Sequence, residues 1–133
     1  MDGMLDVYTT SGTVNAEKFY SYVEQSLLSQ LLPFNGTNPR SVVVMDNAAI
    51  HHVEVVVELI KSTGAMIEFL PSYSPNLNPI EEAFLKLKYF LKQNDPLVPV
   101  YADDELEDLI VVGFATITAE DCCGWMKHNG YLQ

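Results

Sequence analysis

The chain has little positive charge. Lys and Arg together number 7 in 133 residues, Arg40 is the sole arginine, and 18 acids bring the formal net charge to −11. A broad basic face, the usual footprint of a tight nucleic-acid binder, is therefore excluded. Cysteine is scarce as well. Cys122 and Cys123 are the only two. They are adjacent, which rules out an ordinary structural disulfide between them and any Cys-x-x-Cys motif. That usage predicts a reduced, intracellular protein, nuclear or cytoplasmic. No apolar run is long enough to span a membrane, no secretory signal pattern opens the chain, and no repeat or low-complexity tract appears. What remains is a chain that is 48% hydrophobic, enough for a core, and its length predicts a single domain over residues 1–133.

The most informative stretch is Phe69-Leu70-Pro71-Ser72-Tyr73-Ser74-Pro75-Asn76-Leu77-Asn78-Pro79-Ile80-Glu81-Glu82. It reads as a strand end, a loop stiffened by three prolines, and the first turn of a helix. Asn78 suits the N-cap and Pro79 the first helical position, where its missing N–H costs nothing. Glu81 then falls in the first turn. The Asn78–Glu81 spacing also fits a capping box, so helix rules alone leave Glu81 open between a cap and a functional carboxylate.

A second carboxylate lies upstream in Ser41-Val42-Val43-Val44-Met45-Asp46-Asn47-Ala48-Ala49-Ile50-His51-His52. Four apolar residues running into Asp-Asn predict a buried parallel strand ending on an acid. Ligands of open α/β sheets bind at such strand ends, although Asp-Asn is also ordinary turn chemistry. Residues 50–63 carry many β-branched side chains, yet the spacing 50, 53, 57, 60 and the stop at Gly64 predict a helix, with Met66 to Leu70 as the next strand. Strand, helix, strand at this spacing is a βαβ unit.

These two motifs, with 34 residues between Asp46 and Glu81, resemble the DDE-type catalytic domain of mariner-like transposases, and the resemblance runs from about Leu5 to Tyr131. It implies an α/β, RNase H-like fold with a mixed sheet flanked by helices. It also implies metal-dependent DNA cleavage and strand transfer by three acids that hold two divalent ions. By residue match, Asp46 corresponds to the second acid and Glu81 to the third; Glu82 is the weaker alternative. Phe84 stands where the family usually has Trp. The first acid has no counterpart, so the chain is expected to be inactive alone, and the sheet is expected to lack its first two strands. The flank of the Val42 strand is then open, or filled by the Leu5 strand with Asp6 approximating the lost acid, by a second copy in a homodimer, or by another chain.

The implied cofactor is Mg²⁺ or Mn²⁺ in a two-ion, incomplete site. Hard cations take carboxylate oxygens, and two ions about 4 Å apart stabilise both attacking and leaving oxygens. DNA is the implied partner, held weakly by so acidic a chain. Lys88 and Lys92 share a helix flank with Glu81 and are candidates for phosphate contact, although a solvated face explains them equally well. Tyr73 and Ser74 precede Glu81 and are further DNA candidates beside plain turn and packing roles. His51 is a substrate-contact candidate by the resemblance; as adjacent residues at a helix start, His51 and His52 also read as ordinary polar residues with no third zinc ligand nearby. The alternative to a nuclease is a transposase remnant acting as a protein-interaction domain.

The remaining elements are a strand at 4–10, a helix from Asn15 to about Leu32 ended by Pro33, an extended linker at 98–101, a helix over 103–112, and a last helix from Thr118 to Asn129-Gly130. Trp125, Tyr131 and Leu132 are expected to dock that last helix.

Overall fold

The computed structural model describes residues 2–94 and 103–133. The chain divides into two compact units, Gly12–Ser74 and Met1–Ser11 with Pro75–Gln133.

In the first unit, Asn15 caps helix α1 (Ala16–Tyr22), its Oδ1 accepting from the Lys18 N–H at 2.9 Å. The helix continues through a π turn, Val23–Leu27, into a last short stretch, α2 (Leu28–Gln30). The added residue of a π turn rotates the helical stripe beyond it. Leu27 and Leu28 accordingly both pack beside the fully buried Val23. Leu31 is already extended, and Pro33 cannot restart the helix.

Strand β1 (Val42–Met45) leads through a 3₁₀ turn (Ala49–His52) into α3 (Glu54–Ser62), and the chain returns as β2 (Met66–Phe69). The two strands pair in parallel with Val42 opposite Met66 and Met45 opposite Phe69, as the βαβ reading requires. The turn between α3 and β2 needs Gly64. Its φ is +82°, and a Cβ there would stand 2.9 Å from that of Pro33. Val56 and Ile60 of α3 pack with Val23, Met45 and Ala65 against one face of the sheet. Burying a side chain such as Ile60 stabilises by about 1.5–3 kcal/mol.

The expected full burial of the Val42 strand is not seen. Val42, Val44 and Met66 are exposed on the other face. The helices of this unit that pack on the sheet all meet the face carrying Val43, Met45, Ile67 and Phe69.

In the second unit, the strand expected at 4–10 does not form. A strand needs a ladder partner, and among the described residues the sheet contains β1 and β2 alone. The proposed pairing of the Leu5 segment beside Val42–Met45, with Asp6 replacing the first acid, is therefore absent from the sheet. Met4 and Val7 instead pack on an apolar cluster of Ala83, Leu87, Phe114 and Ile117.

A 3₁₀ turn (Pro75–Leu77) precedes α4 (Ile80–Asn94), which starts one residue later than predicted. Helix α5 (Asp103–Ala115) runs past the expected end at 112. It lies close against α4 because Gly113 has no side chain: a Cβ there would fall 2.9 Å from Phe90 Cδ1, with Leu87 Cδ1 closer still. Phe84 and Phe114 meet edge to face at 6.0 Å. Helix α6 (Ala119–His128) starts on a complete capping box between Thr118 and Asp121. The linker predicted at 98–101 lies outside the described residues. Among the described residues no single helix is long and apolar enough to cross a membrane.

Candidate functional site

Asp46 follows the last residue of β1, at its carboxyl end. The chain turns sharply there because Asp46 Oδ1 accepts from the Ala48 N–H at 3.1 Å, an Asx turn. His51 closes back on the same group. Its Nδ1 lies 2.7 Å from Asp46 Oδ1 and 3.2 Å from the Asp46 carbonyl oxygen. A nitrogen so close to two acceptor oxygens is the protonated one, which leaves Nε2 as the other face of the ring. The ring itself rests on Phe19, with centroids 4.7 Å apart. Both side-chain contacts use Oδ1, so Oδ2 of the half-exposed Asp46 is uncommitted among the described residues. Asn47 Nδ2 donates to Ser72 Oγ at 2.9 Å, tying the Asp46 turn to the loop that carries Tyr73 and Ser74. Leu70 N–H donates to the Met45 carbonyl at 2.8 Å at the same end of the sheet.

Tyr73 is fully exposed and holds φ at +59°. That left-handed conformation disfavours a residue with a Cβ by about 1–2 kcal/mol. Ser74 Oγ makes only a long bond to the Ser72 carbonyl, at 3.4 Å. Within Gly12–Ser74 the structure thus brings Asp46 and His51 together and ties the Tyr73–Ser74 loop to their turn.

Glu81 is the second residue of α4, in the other unit. Its N–H donates to the Asn78 carbonyl at 3.1 Å, but its exposed carboxylate has no hydrogen-bond partner among the described residues. The capping box that the spacing allowed is not formed. Glu82 differs. Its Oε1 accepts from Asn129 Nδ2 at 2.8 Å and lies 2.7 Å from His128 Nδ1. The two neighbouring acids therefore separate into one held inside the fold and one presented outward.

Leu85, Lys88 and Lys92 are exposed along the same flank of α4 as Glu81. Neither lysine has an ion-pair partner among the described residues. Lys86, on another face, is bonded to Asp121. That bond, with those from the Thr118 backbone and hydroxyl, holds the Asp121 carboxyl down to about 2. Burial, with the Asp121 charge beside it, pushes the Cys122 thiol up.

Sequence reasoning missed the contacts made by the end of α6. Nothing in helix patterning links His128 to Glu82, 46 positions away. Trp125 does dock α6 on the apolar cluster, and Tyr131 docks through its hydroxyl, which donates to the Leu77 carbonyl at 2.6 Å. Leu132 is exposed.

Asp46 and Glu81 offer hard oxygen donors, the kind Mg²⁺ and Mn²⁺ take. Among the described residues no group of three or more His, Cys, Asp or Glu side chains converges to hold a metal ion. The donor chemistry of each acid fits a hard divalent cation.

Comparison with curated proteins and comparison with solved structures returned no significant match. A family model does match: that of the DDE superfamily endonuclease, over residues 1–98, which takes in both the Asp46 strand and the Glu81 helix start. The chain belongs to the DDE superfamily of endonucleases.

Proposed function

We propose that this chain is a transposase-type DDE catalytic domain of RNase H-like fold, acting on DNA phosphodiesters, and that Asp46 and Glu81 are the two acids it supplies to a divalent-metal site. The observation that carries the reading is the state of the Asp46 carboxylate. It stands at the carboxyl end of a parallel strand, one oxygen held by His51 and Ala48 and the other uncommitted among the described residues. A carboxylate so oriented is prepared for a ligand that its own fold does not provide. The unpartnered carboxylate of Glu81 at the start of α4 supports it as the second donor, ahead of Glu82. Magnesium or manganese bound there would neutralise charge on the phosphate and activate a water or a 3′-hydroxyl as nucleophile.

The remaining roles rest on position. His51 orients Asp46 through Nδ1 and offers Nε2 to substrate. Lys88 and Lys92 present cations toward phosphates along the Glu81 flank of α4. Tyr73 offers a ring for base stacking from a strained loop, and Ser74 a hydroxyl. With a net charge of −11, affinity for DNA is weak in this chain alone.

The test is nicking of supercoiled DNA in Mn²⁺ by wild type, Asp46→Asn and Glu81→Gln. Cleavage by wild type that is lost in both variants supports the reading and means that a further residue or another chain completes the site; cleavage that survives in either removes that residue from the site. One observation favours a second reading, a remnant that serves as an interaction domain. Val42, Val44 and Met66 leave an apolar sheet face exposed beside a strand that, among the described residues, is paired on one flank. A folded wild type that does not nick DNA would favour it.

A further inference from the structure

We propose that the carboxy-terminal end of α6 is a positioning clamp for Glu81, built from residues 128–131, which lie beyond the matched residues 1–98. This deepens the reading of Glu81 as a metal ligand and rests on it.

The clamp begins in the way α6 ends. Gly130 takes φ +85°, its N–H donates to the Lys127 carbonyl at 3.0 Å, and the Tyr131 N–H donates to the Met126 carbonyl at 2.8 Å. That pair of bonds is a Schellman closure, which reverses the chain over the helix end. The reversal delivers the Tyr131 hydroxyl to the Leu77 carbonyl, at 2.6 Å, in the 3₁₀ turn just before α4. Asn129, the C-cap of α6, donates from Nδ2 to both the Trp125 carbonyl and Glu82 Oε1. His128 adds its Nδ1 to the same Glu82 oxygen. Beneath these bonds Trp125 and Met126 share an apolar hollow with Pro79, Ile80 and Ala83.

The start of α4 is thus held on both sides of Glu81, through Leu77 and through Glu82, while Glu81 itself is left free to face outward. The arrangement has a physical reason. The first-turn N–H groups of a helix lack intrahelical partners, so a helix start frays unless something outside holds it. A metal ligand on a fraying turn loses the fixed geometry that a cation demands.

The test uses the full chain and reads backbone exchange together with Mn²⁺ as a paramagnetic probe. In the Asn129→Ala/Tyr131→Phe double variant, exchange of the Glu81 and Glu82 amides should quicken about tenfold, while amides of Leu87 and Ile60 keep their wild-type rates. Broadening of the Glu81 amide by Mn²⁺ should weaken several-fold, while that at Asp46 persists. Glu82→Gln, which keeps an oxygen for Asn129, should stay near wild type; Glu82→Ala should behave like the double variant. If the double variant fails to fold, Tyr131→Phe alone removes one hydroxyl and should show the same localised change at smaller size. Unchanged exchange at Glu81 and Glu82, or an equal rise along all of α4, overturns the clamp. Absence of Mn²⁺ broadening at Glu81 in wild type overturns the metal-ligand reading instead, and exchange then decides the clamp by itself.

Discussion

The two acids are held by opposite means. Asp46, in the unit Gly12–Ser74, is oriented by groups two and five positions along the chain, the Ala48 N–H and the His51 ring. Glu81, in the unit Met1–Ser11 with Pro75–Gln133, has no such local support. The turn that carries it is tied to residues 46, 47 and 54 positions away. A carboxylate at a strand end can be fixed by its own turn because the strand beneath it is already rigid. A carboxylate in the first turn of a helix stands where hydrogen bonding is least complete, so its order comes from tertiary contacts.

The largest effects should come from the acids themselves. Where a further acid completes the site, Asp46→Asn and Glu81→Gln are each expected to bring Mn²⁺-dependent nicking to background, with Glu82→Gln losing far less; equal losses at Glu81 and Glu82 would erase the distinction drawn between them. Next is the core. Ile60→Ala should destabilise Gly12–Ser74 by about 2–5 kcal/mol in urea unfolding, since Ile60 is fully buried. Trp125, the single tryptophan, reports the other unit. If its fluorescence midpoint does not move while the far-ultraviolet signal does, the two units unfold separately.

Removing the local support of Asp46 should cost less than removing Asp46. His51→Ala is expected to reduce Mn²⁺ affinity at Asp46 about tenfold, as loss of an outer partner of a ligand does. An unchanged affinity in a titration would make the His51 contact structural only.

A smaller effect concerns acid. The folded-state carboxyl of Asp121 is held at about 2, below its ordinary 3.8, first by Lys86 and then by Thr118. A depressed carboxyl stabilises above its unfolded value and loses that contribution as pH falls toward the folded one. The Trp125 transition should therefore soften between about pH 4 and pH 2, and Lys86→Met should flatten that dependence. The smallest effect is expected from Lys88→Ala and Lys92→Ala. Each should lower the salt slope of DNA binding by about one, without sequence preference; an unchanged slope would return both lysines to a solvated face.

Much of the fold was legible because it is local. Asn15, Pro33, Gly64 and Thr118 bound their helices by cap and turn chemistry that acts within a few residues. The βαβ unit came from spacing, and the parallel register agrees. The strand expected at 4–10 was not legible. Apolar alternation states a preference for a half-buried surface, and pairing needs a partner that alternation cannot name. The π turn at Val23–Leu27 was equally silent, since a shift of one residue in a helical stripe leaves its composition unchanged.

By itself the sequence determined the family and the elements that carry Asp46 and Glu81, because motif, cap and turn signals are written in consecutive residues. Tertiary structure alone decided that Glu82 is spent on Asn129 and His128, that Glu81 stays open, and that Tyr131 closes on Leu77. Those outcomes depend on where α6 lies against α4, and hydrogen bonds across so many intervening residues leave no mark on local composition.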